Sequence, residues 1–202
     1  MPTGPFIDVS SSPFICQTDL GGSIDASMVR DSSGHVYVIW KNDGNCCGKP
    51  VALWSQRLTS DGRGLVGQRA ELLQRDQPWE GPLIEAPTMW EEQGVWHLLY
   101  SGNLWNTDQY ATGYAACDSP LGPCRKTMAM PLIMSDSEMS GPGGAETFID
   151  LDGRRWLAYH AWSGDQIGYR LGGARSLRID RVKLAGPDVL VMGPTTTTQA
   201  VP

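Results

Sequence analysis

Short apolar runs separated by turns recur along the chain, and no long helical periodicity accompanies them. The runs are rich in aromatic and β-branched residues, a composition typical of strands. Three strand–turn–strand segments resemble one another, and their second strands are Val36-Tyr37-Val38-Ile39-Trp40, Val95-Trp96-His97-Leu98-Leu99-Tyr100 and Trp156-Leu157-Ala158-Tyr159-His160. The pattern predicts an all-β protein and disfavours an α/β fold.

A repeat of 59 to 60 residues relates these segments. Their turns end at Gly34, Gly94 and Gly153, and glycine suits hairpin positions that need a positive φ. Third strands are predicted from Ala52 to Leu58 and from Tyr110 to Cys117. Because four short strands per repeat are typical of a propeller blade, a β-propeller is preferred to a β-sandwich.

The repeat also predicts how one propeller domain spans residues 1–202. Residues 1–22 would end one blade, and 23–80, 81–140 and 141–202 would be the next three. Pro2-Thr3-Gly4-Pro5-Phe6 resembles Pro120-Leu121-Gly122-Pro123-Cys124, which lies late in its blade. Since propellers typically have about 4–8 blades, we expect that one or more N-terminal blades are missing from this chain.

Composition and charge narrow the partners. The 202 residues are 41% hydrophobic and 19% charged, which suits a buried core rather than disorder. The net charge is -6 without a Lys/Arg cluster, so a nucleic-acid partner is not expected. No stretch reaches the ~20 apolar residues of a membrane helix, so no membrane partner is expected. The chain is expected to be a monomer or to self-associate through an open propeller edge.

Five cysteines bear on the compartment. Cys117 and Cys124 flank a tight turn and are within reach of a disulfide, and one of Cys16, Cys46 and Cys47 must stay unpaired unless it bonds another chain. The spacing does not give two separated C-x-x-C pairs, so zinc is not expected. Disulfides favour an exported, extracellular protein, although the residues before Asp8 show no signal peptide; buried thiols are the alternative.

Two carboxylates stand at one point of the repeat. Asp25 and Glu85 each lie nine residues before a turn glycine, and Gly144 takes that place in the third segment. The first strand of each propeller blade lines the axis, so the two side chains are expected to converge on one pocket. Paired carboxylates are the usual apparatus for cleaving a glycosidic bond, one as a proton donor and the other ionised.

Glu85 is the candidate general acid. Its neighbours Ile84 and Ala86 are apolar, with Trp79 and Trp90 near in sequence, and an apolar setting favours the protonated form that an acid needs. The alternatives are a solvated Glu85 at a strand end and Glu80 as a rival acid on the preceding loop.

Other residues are candidates for substrate binding. His160 ends a second strand, and Arg175 follows Gly173-Ala174; a structural histidine and a surface arginine are the alternatives. Asp25 is the candidate modulator of Glu85, and it follows glycines that let the backbone approach a ligand. Trp40 and Trp90 are candidates for flat aromatic faces on which sugar rings stack, with core positions as the alternative. Trp105 and Trp162 are further candidates. His97 is expected to be structural.

The chain resembles glycoside hydrolase family 43, the five-bladed propellers that cleave arabinose- and xylose-containing plant polysaccharides. The matching stretches are Gly22-Ser23-Ile24-Asp25-Ala26-Ser27, Glu80-Gly81-Pro82-Leu83-Ile84-Glu85-Ala86-Pro87, Gly141-Pro142-Gly143-Gly144, Tyr159-His160-Ala161-Trp162 and Val191-Met192-Gly193-Pro194-Thr195. The resemblance implies an inverting hydrolase with Glu85 as general acid and Asp25 as the aspartate that tunes it.

The resemblance also implies what this chain lacks. The family's general base is an aspartate on the first blade, and no residue here corresponds to it. Little or no hydrolysis by this chain alone is therefore expected, and a non-catalytic carbohydrate-binding fragment is the alternative. Many members have a histidine where this chain has Gly144, sometimes linked to calcium. No cofactor is therefore expected, and calcium is left open.

Overall fold

The computed structural model describes residues 3–164, 166–185 and 188–194. Within these ranges the chain forms twelve strands: β1 (Ser23–Arg30), β2 (Val36–Asn42), β3 (Ala52–Leu58), β4 (Leu65–Gln74), β5 (Ile84–Glu92), β6 (Val95–Gly102), β7 (Ala111–Cys117), β8 (Cys124–Lys126), β9 (Met139–Ile149), β10 (Arg155–Ser163), β11 (Arg175–Ala185) and β12 (Asp188–Met192). They form three four-stranded antiparallel sheets, ordered β1-β2-β3-β4, β5-β6-β7-β8 and β9-β10-β11-β12.

The described residues contain no α-helix, which confirms the all-β prediction. Helical structure in them is limited to 3-10 turns at Thr18–Leu20, Gly44–Cys47, Pro78–Glu80 and Tyr169–Leu171. No helix in this part of the chain is long and apolar enough to cross a membrane. Each sheet is a strand meander with the geometry of a propeller blade.

The inner hairpins close with two kinds of turn. In the β1–β2 turn, Asp31 accepts backbone N–H bonds from Gly34 and His35. The β9–β10 turn repeats this arrangement around Asp150. The β5–β6 turn is shorter: Glu92 pairs with Val95, and both residues between them have positive φ, as a two-residue hairpin requires.

Each innermost strand has a bulge centred on a residue with positive φ: Asp25 at 56°, Ala86 at 49° and Gly144 at 63°. Asp25 therefore corresponds to Ala86 in the fold, whereas Glu85 corresponds to Ile24. The prediction that Asp25 and Glu85 occupy one point of the repeat is wrong by one residue. The error arises because the β5–β6 turn is shorter than the β1–β2 turn, so counting back from the turn glycine shifts the alignment.

The innermost strands lie side by side around the axis. Ser27 on β1 donates a hydrogen bond to the carbonyl oxygen of Pro87 on β5, at 2.7 Å. Thr88 on β5 donates to the Glu146 carboxylate on β9, at 2.5 Å. These contacts place the starts of β1, β5 and β9 next to one another, at the end of the axis where Asp25 and Glu85 lie.

Apolar side chains fill the spaces between the sheets. Successive residues of a strand point to opposite faces, so Leu98 packs between the first two sheets and Leu99 between the last two. Both are buried, and burial of each leucine contributes roughly 1.5–3 kcal/mol. On the outer face of the first sheet, Trp40 packs with Val38 and Leu58. The middle sheet is thus fixed on both faces, which holds Glu85 on a rigid element.

The described residues contain the disulfide that the sequence predicts and one further disulfide. A disulfide joins Cys117 and Cys124 across the β7–β8 turn, which confirms that prediction. The structure also pairs the neighbours Cys46 and Cys47, and Cys16 is free and exposed.

Candidate active site

An open pocket of about 430 Å³ lies where the three inner strands begin. It brings together residues from all three sheets and from the loops that follow β6 and β10. The side chains and backbone that line it are Asp25, Glu85, Ala86, Trp105, Tyr110, Gly144, His160, Tyr169 and Arg175. Five of the residues named as candidates from the sequence therefore meet in one cavity: Asp25, Glu85, Trp105, His160 and Arg175.

Both carboxylate oxygens of Glu85 are hydrogen-bonded. The Tyr110 hydroxyl donates to Oε1 at 2.8 Å, and the Lys41 ammonium donates to Oε2 at 3.1 Å. Burial first, and then the Glu85 charge, raise the pKa of Tyr110 far above its ordinary value, so this hydroxyl keeps its proton and remains a donor. The surroundings of Glu85 are therefore polar, and the prediction of an apolar setting is wrong.

Sequence neighbours misled that prediction because they point elsewhere. Ile84 precedes Glu85 on the strand and is fully buried between the first two sheets. Trp79 stacks on Tyr100 in that core, with ring centroids 5.8 Å apart. Alternation along β5 thus separates Glu85 from the apolar residues beside it in the sequence.

Asp25 is fixed to the residue that follows Glu85. Its Oδ2 accepts a hydrogen bond from the backbone N–H of Ala86 at 3.0 Å. Aspartate tolerates the left-handed backbone at this bulge better than most residues, which fits its φ of 56°. Asp25 therefore links the first and second sheets directly beside the candidate acid.

His160 faces the pocket as a neutral ring. Burial, and then the charge of Arg175, lower its pKa to about 4. The ring stacks on Tyr110 with a centroid distance of 6.1 Å, and its buried Nδ1 has no hydrogen-bond partner among the described residues. A neutral imidazole in this position can exchange a hydrogen bond with a ligand hydroxyl.

Arg175 forms the cationic side of the pocket. Its guanidinium donates to the carbonyl oxygens of Trp105, at 2.5 Å, and Gly141, at 3.4 Å. It also lies 5.3 to 5.5 Å from the ring centroids of Trp105, Tyr110 and Trp162, which is cation–π range. Burial lowers the pKa of Arg175, yet an arginine remains charged in proteins.

Exposed aromatic rings form the rim. Trp105 stacks on Trp162 at 6.1 Å, and Tyr169 meets Trp162 edge-on at 4.9 Å. Trp105 is 45% exposed and Tyr169 is 64% exposed, so both rings present a face to a ligand. Flat exposed rings beside a polar pocket suit the apolar faces of sugar rings.

Trp40 and Trp90 do not line this pocket. Trp40 is 2% exposed, and its indole N–H donates to Gln17 at 2.7 Å. Trp90 is buried between the second and third sheets, where it stacks on His97 at 4.8 Å. The substrate-binding role predicted for them is corrected to a core role, because Trp40 packs on the outer face of the first sheet and Trp90 lies between the second and third sheets.

Glu80 and His97 are structural. Glu80 is fully buried; it pairs with Lys126 at 2.6 Å and accepts the Tyr100 hydroxyl at 2.8 Å. His97 bonds the Tyr114 hydroxyl through Nδ1 at 2.8 Å. Neither side chain lines the pocket, so Glu80 is not a rival to Glu85.

The described residues contain no group of three or more His, Cys, Asp or Glu side chains placed to hold a metal ion. At Gly144, an added Cβ would lie only 2.4 Å from Nε2 of His160. The His160 ring therefore occupies the space next to this glycine. The expectation that no cofactor is required stays a prediction.

Sequence reasoning missed Lys41, Tyr110 and Tyr169. Lys41 had one available signal, since it is a charged residue that directly follows the apolar run Val36-Tyr37-Val38-Ile39-Trp40. Tyr110 was placed within a strand, whereas the structure places it just before β7. Tyr169 had no such signal in the sequence, because it lies on the loop that brings it to the rim of the pocket.

Comparison with known proteins agrees with this fold. A sequence model of glycosyl hydrolases family 43 matches residues 1–186. The chain therefore belongs to glycosyl hydrolases family 43. No curated protein sequence matches it.

Solved structures show the same fold. A thermostable family-43 glycoside hydrolase is 27% identical with a TM-score of 0.78, over 88% of this chain and 60% of its own. An endo-1,4-beta-xylanase from Bacteroides thetaiotaomicron VPI-5482 is 26% identical with a TM-score of 0.80, over 96% and 65%. An alpha-L-arabinofuranosidase from Lactobacillus brevis is 19% identical with a TM-score of 0.71, over 88% and 58%, and shows the fold alone. This chain thus spans about three fifths of the length of the structures it matches.

Proposed function

We propose that this protein takes part in hydrolysis of arabinose- or xylose-containing plant polysaccharides or oligosaccharides, with inversion at the anomeric carbon. The observation that carries the proposal is the Glu85 carboxyl, fixed by two hydrogen bonds in a pocket that Asp25 also lines. Membership of family 43 supports it, as does the matched solved structure named as an endo-1,4-beta-xylanase.

Glu85 has the role of general acid. When protonated, it donates its proton to the glycosidic oxygen as the bond to the anomeric carbon breaks. Asp25 holds the peptide that follows Glu85 and places a negative charge nearby, which tunes the acid. Inversion also needs a second carboxylate, about 6.5–9.5 Å from the acid, to activate water. Among the described residues that line the pocket, the carboxylates are those of Asp25 and Glu85.

Substrate contacts follow from the rest of the lining. Arg175 supplies a fixed cation for sugar hydroxyls, and His160 supplies a neutral hydrogen-bonding ring. Trp105 and Tyr169 offer the exposed faces on which a sugar unit stacks.

The test is hydrolysis of aryl arabinofuranosides and xylosides and of arabinan and xylan oligosaccharides, with Glu85→Gln as the variant. A general acid contributes about 10²–10⁴-fold, so the variant should lose that much on oligosaccharides. It should lose far less on dinitrophenyl glycosides, whose leaving group needs no proton. Glu71→Gln, at an exposed position of strand β4, is the matched control.

Three outcomes separate the alternatives. Turnover that depends on Glu85 supports the proposal. Binding of the oligosaccharides without turnover supports a non-catalytic carbohydrate-binding role for this chain. Turnover that survives in Glu85→Gln on every substrate contradicts the assignment of the acid.

We also propose that the protein works outside the cell. The Cys46–Cys47 and Cys117–Cys124 disulfides support this location, since such bonds persist in oxidising compartments. Polymeric plant substrates are also met there. Mass spectrometry of the secreted and cellular fractions of the source organism would test it.

A further inference from the structure

Lys41 is a buried cation that directly follows the apolar residues 36–40 of β2. Its side chain is 1% exposed. Burying an ammonium is costly unless it is paired, and Lys41 has two anionic neighbours. Its Nζ lies 3.1 Å from Oε2 of Glu85 and 3.6 Å from Oδ1 of Asp43. The charge is thus held between the candidate acid and a second carboxylate.

The position of Lys41 recurs in the other two sheets. Lys41 pairs with Ile24 at the first bulge, and Ser101 and His160 are its equivalents, since they pair with Glu85 and Gly143. The Ser101 hydroxyl also reaches the next inner strand, where it accepts the N–H of Gly144 at 2.8 Å. A neutral serine therefore suffices to connect neighbouring sheets at this position, and the ammonium of Lys41 adds a charge that the fold does not require.

We infer that Lys41 is a positioning residue for the general acid Glu85. It fixes Oε2, so the carboxyl has one orientation towards the pocket, and it stabilises the carboxylate that forms when the proton leaves. This inference rests on the proposed function. The negative charge of Asp43 offsets part of the positive charge of Lys41, which limits the effect of Lys41 on Glu85.

The proton moves from Glu85 to the glycosidic oxygen, and the bond to the anomeric carbon breaks with its electron pair on that oxygen. Water supplies the hydroxyl to the carbon and releases a proton to a base or to solvent. Glu85 is left as a carboxylate, 3.1 Å from the Lys41 ammonium.

Other charged or titratable groups face Glu85 from the elements around it: Asp43, Asp25, Tyr110, Arg175 and His160. Tyr110 keeps its proton, and His160 is neutral above a pKa of about 4 because it is buried. Asp25 bonds the backbone of Ala86 rather than the carboxyl. Lys41 is therefore the cation in direct contact with Glu85 among the described residues.

The test that does not need turnover is a ¹³C NMR titration of the Glu85 carboxyl, assigned with Glu85→Gln. In Lys41→Met the titration midpoint should rise, because the opposite charge in contact with the carboxylate is removed. In Asp43→Asn it should fall, because the ammonium then acts on Glu85 alone. Lys183→Met, which removes an exposed lysine, is the control and should leave the midpoint unchanged.

A midpoint that stays the same in a folded Lys41→Met protein would overturn the inference. If circular dichroism shows that Lys41→Met does not fold, Asp43→Asn and Lys41→Arg decide instead. A titration midpoint of Glu85 that does not fall in Asp43→Asn contradicts the inference about Lys41. A midpoint that rises in Lys41→Arg contradicts it as well.

Kinetics then separate this inference from the proposed function. If the protein turns over oligosaccharides, the alkaline limb of the pH–rate profile should move to higher pH in Lys41→Met. Lys41→Arg should restore most of the original profile. If the NMR midpoint shifts but no substrate is turned over by any variant, the proposed function fails while the contact of Lys41 with Glu85 stands. If turnover depends on Glu85 but neither the midpoint nor the pH profile responds to Lys41, the inference fails alone.

Discussion

The Asp25 carboxylate accepts a hydrogen bond from the backbone N–H of Ala86, with 3.0 Å between Oδ2 and N. Both residues have positive φ and stand at equivalent bulges of neighbouring inner strands. A bulge re-aims the side chain beside it, and here that side chain is Glu85. The contact therefore couples the backbone of one sheet to the orientation of the candidate acid on the next.

Asp25→Asn should separate the charge of Asp25 from its hydrogen bond. The amide oxygen of asparagine can still accept from Ala86, and asparagine tolerates the left-handed backbone, so the melting temperature should stay within about 2 °C. Activity, or the affinity for oligosaccharides, should fall at least about tenfold because the charge beside Glu85 is lost. Calorimetry and kinetics on the same samples measure the two effects.

Asp25→Ala is the companion variant. It removes the acceptor and places alanine at a φ of 56°, so it should destabilise the protein by about 1–3 kcal/mol in addition to impairing the site. Equal losses of stability in the asparagine and alanine variants would contradict the role of this hydrogen bond.

Gly144→Ala should destabilise the protein and displace His160. The glycine has a φ of 63°, and an added Cβ would lie 2.4 Å from Nε2 of His160. The left-handed backbone costs alanine about 1–2 kcal/mol, and the overlap adds roughly 1–3 kcal/mol. Urea unfolding measures the free energy, and the His160 ring signals in an NMR spectrum report the displacement.

Gly153→Ala is the matched control for that prediction. Gly153 also has positive φ, at 75°, but no atom lies within 4 Å of an added Cβ. It should show the backbone cost alone. If the two variants lose the same free energy of unfolding, the close approach of His160 to Gly144 is not what the structure indicates.

The spacing of residues predicted the fold better than the site. Gly34, Gly94 and Gly153 gave the repeat because turn geometry is local and demands glycine. The alignment of Asp25 with Glu85 was wrong by one residue, since hairpin loops of different length shift a count that starts at the turn. Both side chains nevertheless reach one pocket, because neighbouring inner strands begin at the same end of the axis.

The partners of Glu85 were beyond sequence reasoning. Lys41 lies 44 residues away and Tyr110 lies 25 residues away, so their contacts depend on how sheets pack rather than on local pattern. Trp40 was misassigned for a related reason: an aromatic residue on a strand faces either a ligand or a neighbouring sheet, and the face is set by register.

His160 should make stability depend on pH. Burial, followed by the Arg175 charge, lowers its folded pKa to about 4, below the ordinary value near 6.5. The unfolded chain therefore binds a proton that the folded protein does not, and stability is lost as pH falls from about 6.5 towards 4. His160→Gln should flatten this slope, by on the order of 2 kcal/mol between pH 7.5 and 4.5.

Urea unfolding at both pH values checks that prediction, with each variant at pH 7.5 as its own reference. Burial also lowers the pKa of His97, so part of the slope should remain in the variant. An unchanged slope in His160→Gln would show that the His160 ring is not buried neutral beside Arg175.

The outer face of the third sheet should make the isolated chain self-associate. Leu177, Leu190 and Met192 are 72%, 47% and 48% exposed, and cross-strand pairing places them on the same face of β11 and β12. On this face Arg181 and Lys183 lie opposite Met192 and Leu190, so the apolar side chains are interspersed with cations. Exposed apolar side chains on a sheet face favour contact with another chain. The mass from light scattering should therefore rise above 22.0 kDa with concentration. Leu177→Lys with Leu190→Lys should reduce this rise, whereas Leu151→Lys, at a turn residue that is 95% exposed, should not. A mass that stays at the monomer value over the whole concentration range would rule out this face as a site of association. Apolar area that is buried between two chains increases with protein concentration, whereas apolar area that is buried within one chain does not.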